Sequence, residues 1–130
     1  MNRIETLHLM MDNTMQACGI TDMDAFFSST RHHYVHARWL YFYTIRHFLR
    51  MTYENMLESI DERFEVSTPQ ALTYSVNKMS SMIDSDREWS RRWNDIKEMC
   101  GYEIIPRTEK TKITIIAPKD IEIEIKRKGE

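Results

Sequence analysis

The residues best suited to chemistry in this sequence lie on two segments that read as a pair of amphipathic helices, Thr52–Phe64 and Thr68–Ser85. A link of three residues separates the segments. On the second segment, Gln70, Tyr74 and Lys78 recur every four residues and therefore share a polar face. This arrangement is typical of a helix-turn-helix, whose second helix enters the major groove of DNA. A Gln side chain on such a helix can form a bidentate pair with adenine.

Arginines recur near helical spacing in the segment that precedes this pair. They are Arg31, Arg38, Arg46 and Arg50. A row of cations can neutralise the phosphates of DNA. The same row can form a solvated edge that pairs with acids of the next segment, which are Glu54, Glu58 and Asp61. The sequence leaves both interpretations open.

Other chemistry has little support in the sequence. His32, His33 and His36 have the spacing of zinc ligands, but no Cys or carboxylate stands beside them at ligand spacing. No nucleophile has an adjacent base and an orienting acid, and no glycine-rich phosphate loop exists. We therefore expect neither an enzyme nor a metal, and no cofactor.

Composition places the chain among soluble single-domain proteins. It has 130 residues, a formal net charge of -2 and 42% hydrophobic residues. Because the net charge is negative, nucleic-acid binding would need a local basic patch. Cys18 and Cys100 have no near partner and indicate two buried thiols in a reducing cytosol. No stretch is long and apolar enough to span a bilayer, so we expect a cytoplasmic protein without a membrane partner.

Hydrophobic periodicity predicts six helices that must position these residues. The long third helix is apolar around most of its circumference, which predicts a central, buried position. The predicted helices are 4–17, a short helix that begins near Asp22 and runs through Phe27, 31–50, 52–64, 68–85 and a last helix capped by 84–86 and ended at Gly101.

After Gly101 the pattern changes from helical to alternating. We predict a short strand at Tyr102–Ile105 and a hairpin formed by Lys112–Ala117 and Ile121–Lys126. The hairpin has three interpretations: a basic wing on DNA, a lid over the helices, or an edge that pairs with a second copy or a protein partner. The predicted domains are 1–101 and 102–130.

Several short motifs resemble one family. Ile20, Asp24 and Phe26-Phe27 fall where that family has a short helix before its long one. Phe64 matches the Phe before the signature GGRDHSTV, and Tyr74–Met79 takes the place of HAxxKI. In these positions the chain resembles the C-terminal DNA-binding domain of the chromosomal replication initiator DnaA. The resemblance implies a mainly α fold, a Trp-repressor-like helical bundle with a helix-turn-helix, to which this chain adds the small C-terminal β-hairpin.

The resemblance covers residues 1–98 and also implies a site. In the family, the signature helix reads bases and a basic loop before the long helix contacts the minor groove and phosphates. Here the signature's Arg, Asp, His, Ser and Thr are replaced by Ser67, Thr68, Pro69, Gln70 and Ala71. The predicted DNA-binding set contains residues that align with the family's signature and basic loop, together with residues on the polar face of the second helix. They are Arg31, Arg38, Ser67, Thr68, Gln70, Thr73, Tyr74 and Lys78.

Two functions follow as expectations. The first is sequence-specific binding of double-stranded DNA in replication control or transcriptional regulation. Because the signature is altered, the target would differ from the initiator's own site. The second is a DnaA-like fold that has lost DNA reading and serves as a protein-interaction or assembly module.

Overall fold

The computed structural model describes residues 2–103, which form a mainly helical fold. Within that range there are six α-helices, one 3₁₀ turn at Glu62–Phe64 and no strand. The mainly α class is therefore confirmed, whereas the predicted hairpin lies outside the described residues. The helices are α1 (Arg3–Ala17), α2 (Met23–Ser28), α3 (His32–Leu49), α4 (Tyr53–Ser59), α5 (Pro69–Ser85) and α6 (Arg87–Glu103).

The ends of α1 follow from short capping motifs. Asn2 Oδ1 accepts a hydrogen bond from the Glu5 N–H (2.9 Å), and the Glu5 carboxylate accepts one from the Asn2 N–H (3.0 Å). This reciprocal pair satisfies donors that the first helical turn leaves open. At the other end Gly19 adopts φ 69°, as expected for a left-handed helix stop. The Ile20 N–H then donates to Met15 O (2.9 Å) and the Ile20 side chain is buried.

Helix α3 is the centre of the fold, as its nearly uniform apolar character predicted. Leu40 and Ile45 are fully buried, and α1, α2, α4 and α5 all pack against this helix. Thr44 is buried as well, and its hydroxyl donates to Leu40 O (2.7 Å), which satisfies the polar group inside the core. No helix within residues 2–103 has both the length and the apolar character needed to cross a membrane.

Phe64 joins the connection before α5 to the core. Its ring lies 4.7 Å from that of Phe27 and 5.7 Å from that of Phe26, both edge to face. The rings of Tyr41 and Phe42 lie 5.4 Å away on α3. Aromatic clusters of this kind combine large apolar burial with specific ring geometry. Phe64 therefore fixes the position from which the chain enters α5.

The first helix of the predicted pair is shorter than the expected Thr52–Phe64. Helix α4 ends at Ser59, and Ile60 is extended, with φ -74° and ψ 158°. Asp61 then accepts a hydrogen bond from the Arg63 N–H (2.9 Å) and begins the 3₁₀ turn. Asp commonly competes with the helix by bonding nearby backbone groups. The expected three-residue turn is therefore wrong: the α4–α5 connection spans Ile60–Thr68.

The last helix is longer than the sequence predicted. Helix α6 begins after Asp86, whose carboxylate accepts from the Glu88 N–H (2.9 Å), in agreement with the predicted cap. It continues through Gly101 to Glu103, so the prediction that Tyr102 begins a strand is wrong. A glycine costs about 1 kcal/mol in a helix but does not force it to end. The remainder of the predicted strand lies outside the described residues.

Candidate nucleic-acid interface

Helix α5 is anchored on one side and open on the other. Leu72, Val76 and Met79 are buried, and the helix packs against α3 and α4. Thr68 caps it, because its Oγ1 accepts from the Ala71 N–H (3.2 Å), and Pro69 occupies its first turn. Both features were predicted from the sequence. The exposed residues of the opposite side, called here the α5 outer face, are Gln70, Ala71, Tyr74, Asn77, Lys78 and Ser81.

Hydroxyl groups beside this face are engaged by the backbone. Thr73 Oγ1 donates to Pro69 O (3.0 Å), and Thr73 is half-buried at the edge of the outer face. Ser75 Oγ donates to Ala71 O (2.9 Å) and is buried. Ser67 is exposed just before the cap. The hydroxyls of Thr73 and Ser75 are therefore engaged within α5, whereas the amides, the aromatic ring and the ammonium group of the outer face are exposed.

Tyr74 is the large side chain of the outer face and is 55% exposed. Its ring meets that of Trp39 edge to face, with centroids 5.9 Å apart. Lys78 Nζ lies 5.5 Å from the Tyr74 centroid, within the range of a cation–π contact. Two flanking contacts therefore orient the ring while leaving most of its surface accessible.

Arg31 and Arg38, the two arginines of the predicted set, have different environments. Arg31 is exposed at the start of α3. Arg38 is half-buried, and its guanidinium donates to Phe26 O (2.9 Å) and Ser29 O (2.7 Å). These carbonyls belong to the end of α2, where a helix leaves acceptors open. Burial lowers the pKa of the Arg38 guanidinium. The arginine expected on an exposed edge thus joins α2 to α3.

The other two arginines of this row also contact backbone carbonyls. Arg46 donates to Met51 O and lies over the Tyr53 ring, 4.6 Å from its centroid. Arg50 is exposed, and its Nε donates to His47 O (3.3 Å). Within residues 2–100, neither forms an ion pair with Glu54, Glu58 or Asp61, the pairing that one interpretation of the sequence required. The row therefore does not act as one continuous solvated edge.

Several arginines away from α5 are paired with acids. Arg63 binds Asp61 through a 2.8 Å ion pair, and its side-chain and backbone donors lower the pKa of Asp61 to about 2. On α6, Arg91 and Arg92 both pair with Glu88. Exposed acids of α2 with its cap, of α4 and of the following connection are Asp22, Asp24, Glu54, Glu58, Glu62 and Glu65. Arg31 and Lys78 are thus the predicted site residues that keep an exposed positive charge.

The histidines at the start of α3 contact one another and the residues packed around them. His33 Nε2 lies 2.8 Å from Cys18 O, whereas the rings of His32 and His36 stack at 5.8 Å. His36 also contacts Trp89, with centroids 5.8 Å apart. Burial, followed by the charges of the two neighbouring histidines, lowers the pKa of His36. Among the described residues, no group of three or more His, Cys, Asp or Glu side chains is arranged to hold a metal ion.

Two residues outside the predicted set also bear on this surface. Asn77 is exposed on the outer face, although it is not one of the residues predicted from the sequence. Glu65 has φ 57° and ψ 34°, a left-handed conformation that favours glycine. It follows Phe64 directly and so stands where the signature GGRDHSTV has its first glycine. The glycine at this position of the signature could have predicted the positive φ of Glu65, because glycines often occupy such positions.

Comparison of the chain with protein-family models, curated proteins and solved structures finds no match. Function is therefore argued below from the residues of the interface itself.

Proposed function

We propose that this chain binds double-stranded DNA, with α5 in the major groove, and acts in replication control or transcriptional regulation. The observation that carries the proposal is the division of α5 into two sides. The inner side is fixed by Leu72, Val76 and Met79, whereas the outer face offers exposed hydrogen-bonding groups. A recognition helix needs both, because side chains read base edges only when the helix is held rigidly in the groove.

The local geometry before α5 supports a relationship to the DnaA-type helix-turn-helix. Glu65 has a positive φ at the place of the signature's first glycine, and Phe64 packs into the core just before it. Thr68 caps α5 at the place of the signature's Asp. These three correspondences concern backbone direction and are independent of the base-reading side chains, which differ in this chain.

In this proposal, few cations bind the phosphate backbone of DNA. Arg31 at the start of α3 and Lys78 on α5 are exposed and contact phosphates. Arg38 acts indirectly, because its bonds to Phe26 O and Ser29 O hold the segment that carries Arg31. Each phosphate contact contributes about 0.9 to the slope of log K against log salt. We therefore expect a shallower salt dependence than that of a strongly basic DNA-binding protein.

A second candidate function is a protein-interaction module. The engagement of Arg38 by backbone carbonyls favours it, as does the pairing of Arg91 and Arg92 with Glu88. Guanidinium groups that already donate within the protein have fewer N–H donors left for phosphates. In this alternative the α5 outer face contacts a protein surface, with Tyr74 as a rigid aromatic anchor.

The two candidates are distinguished by titrating salt against binding to a mixed-sequence duplex, measured by fluorescence anisotropy. DNA binding predicts affinity that falls steadily as salt rises. Replacing Lys78 by Gln should reduce the slope by about one unit. The matched control is Lys97→Gln on α6: Lys97 is also exposed, and its Nζ also lies over an aromatic ring, 5.7 Å from the centroid of Trp93.

The outcomes separate clearly. A reduced slope for the Lys78 variant and an unchanged slope for the Lys97 variant would support DNA contact through α5. Equal slopes in the unmodified chain and both variants would show that the phosphate contacts do not include Lys78 of α5. No binding at low salt would reject the DNA function and favour the protein-interaction module.

A further inference from the structure

We propose that the α5 outer face selects A·T base pairs, with Gln70 and Asn77 as the two residues that read adenine. This inference rests on the proposed DNA-binding function and assigns its target class. It also adds Asn77, an exposed residue of α5, to the specificity-determining residues.

Gln70 and Asn77 lie in line along the helix. They are separated by seven residues, which is close to two turns, so their side chains leave the axis within about 20° of each other. The rise between them is about 10 Å. Bases on one strand are spaced by about 3.4 Å, so two aligned amides reach positions about three base pairs apart.

The amide groups of Gln70 and Asn77 are complementary to the hydrogen-bonding groups of adenine. A Gln or Asn amide supplies one donor and one acceptor, which pair with N6 and N7 of adenine in the major groove. Ala71 is exposed beside Gln70 and offers a methyl group. Apolar contact with a methyl side chain is a common means of recognising the C5 methyl of thymine. Both strands of an A·T pair can therefore be contacted near the start of α5.

The first part of α5 has no side chain of the kind that usually contacts guanine. The usual guanine contact is a bidentate Arg or Lys, and residues 69–77 of α5 contain neither. Lys78 is the first cation of the helix, and its ammonium group lies over the Tyr74 ring. The arginine of the DnaA-type signature is Ser67 in this chain. The reading surface thus combines two amides and a methyl group, and the cation of the outer face, Lys78, is assigned here to phosphate rather than to guanine.

The test is selection of binding sites from a duplex library with a randomised central region. The full chain should enrich two adenines on one strand, spaced by about three base pairs. Gln70→Ala should remove the preference at one position and retain the other. Asn77→Ala should do the reverse. Each substitution should weaken binding to the selected site by about 5- to 140-fold, the range corresponding to one bidentate base contact.

Matched controls and one gain of function make the assignment specific. Gln16→Ala on α1 and Asn94→Ala on α6 remove the same groups from exposed positions of other helices, and both should leave the selected sequence unchanged. Gln70→Arg should shift the preference at its position from adenine to guanine, because a guanidinium pairs with O6 and N7.

Several results would overturn the inference while leaving DNA binding intact: salt-dependent binding without a base preference, or enriched adenines that persist in both alanine variants. Selection of guanine by the unmodified chain would also overturn it. Failure to bind any duplex at low salt would reject the DNA function itself, and the inference with it.

Discussion

At the scale of single residues, two non-glycine positions within residues 2–103 adopt left-handed backbone conformations. Arg50 has φ 55° at the end of α3, and Glu65 has φ 57° after the 3₁₀ turn. For an L-residue this conformation costs about 1–2 kcal/mol, whereas glycine adopts it freely. Both positions lie at element ends, where the chain changes direction.

Replacing Glu65 by Gly should therefore stabilise the fold. The released strain exceeds the extra entropy that glycine loses on folding, so we expect a gain of about 0.5–1 kcal/mol in the free energy of unfolding. Chemical denaturation measures it.

Two further variants identify the cause. Glu65→Gln removes the charge but keeps the Cβ, so it should give no comparable gain. Arg50→Gly should gain less than Glu65→Gly, because it also removes the bond from Arg50 Nε to His47 O. A gain in the Gln variant equal to that in the Gly variant would assign the effect to charge rather than to backbone strain.

His36 should make folding stability depend on pH. Its pKa is lowered from the usual 6.5 because burial and the charges of neighbouring histidines disfavour the protonated form, although Asp86 opposes the shift. Below pH 6.5 the unfolded chain therefore binds more protons at this residue than the folded chain does. Stability is complete above that pH and falls as pH decreases through the lower, folded-state pKa.

His36→Gln should reduce this loss, which is measured by denaturant unfolding at about pH 7 and about pH 5. The loss should not vanish, since burial and nearby cations also lower the pKa of His47. Gln16→Ala, at an exposed position of α1, removes no titratable group and is the control, which should leave the pH dependence unchanged. A His36 variant with the same loss as the unmodified chain would remove His36 from the effect.

At the scale of helices, Arg38 is the link between α2 and α3. A six-residue helix such as α2 is too short to be stable alone, so it depends on partners for its terminal carbonyls. The Arg38 guanidinium provides two of these bonds, at 2.7 and 2.9 Å. The same bonds position the segment that leads to Arg31.

Replacing Arg38 by Ala should lower the free energy of unfolding by about 2 kcal/mol, because charge-assisted bonds to two carbonyls are lost. Arg38→Lys should recover only part of it, since an ammonium group cannot reproduce the planar fork. Thermal and denaturant unfolding give both values.

Arg31→Ala is the matched control, since Arg31 is exposed at the start of the same helix, and it should change stability by less than about 0.5 kcal/mol. Similar stabilities for the Ala variants at the two positions would contradict a structural link through Arg38.

At the scale of the whole molecule, one core is complete within the described residues. Its fully buried side chains come from α1 to α6 and include Met10, Phe26, Leu40, Leu72 and Ile96. Cys18 and Cys100 are both buried, as expected, and burial raises the pKa of Cys18 to about 12, which keeps its thiol protonated. The core therefore needs no disulfide.

A fragment of residues 1–103 should consequently fold by itself. We expect a helical circular-dichroism spectrum and one cooperative unfolding transition, since a chain of this length can bury a sufficient core. Comparison of its DNA affinity with that of the full chain then isolates the contribution of residues 104–130. A fragment that unfolds without cooperativity would contradict the predicted division of the chain.

The sequence by itself determined the number, order and most bounds of the helices. Their signals are local: helical spacing of apolar residues, the Asp22, Thr52 and Thr68 caps, and Gly19 at a helix end. It also predicted the exposed face of α5 that carries Gln70 and Tyr74, because polar residues that recur at helical spacing indicate which side of a helix faces solvent. The expected end of α4 was wrong, since Asp61 bonds to the Arg63 backbone, a choice that helical periodicity does not reveal.

Only the tertiary structure decided the environment of each charge. Arg38 and Arg31 look alike in the sequence, yet the first meets carbonyls 9 and 12 residues away and the second meets solvent. Likewise, Glu65 looks like an ordinary surface acid until its φ is known. Contacts between distant residues and the sign of a dihedral angle depend on how helices pack, and local sequence patterns carry neither.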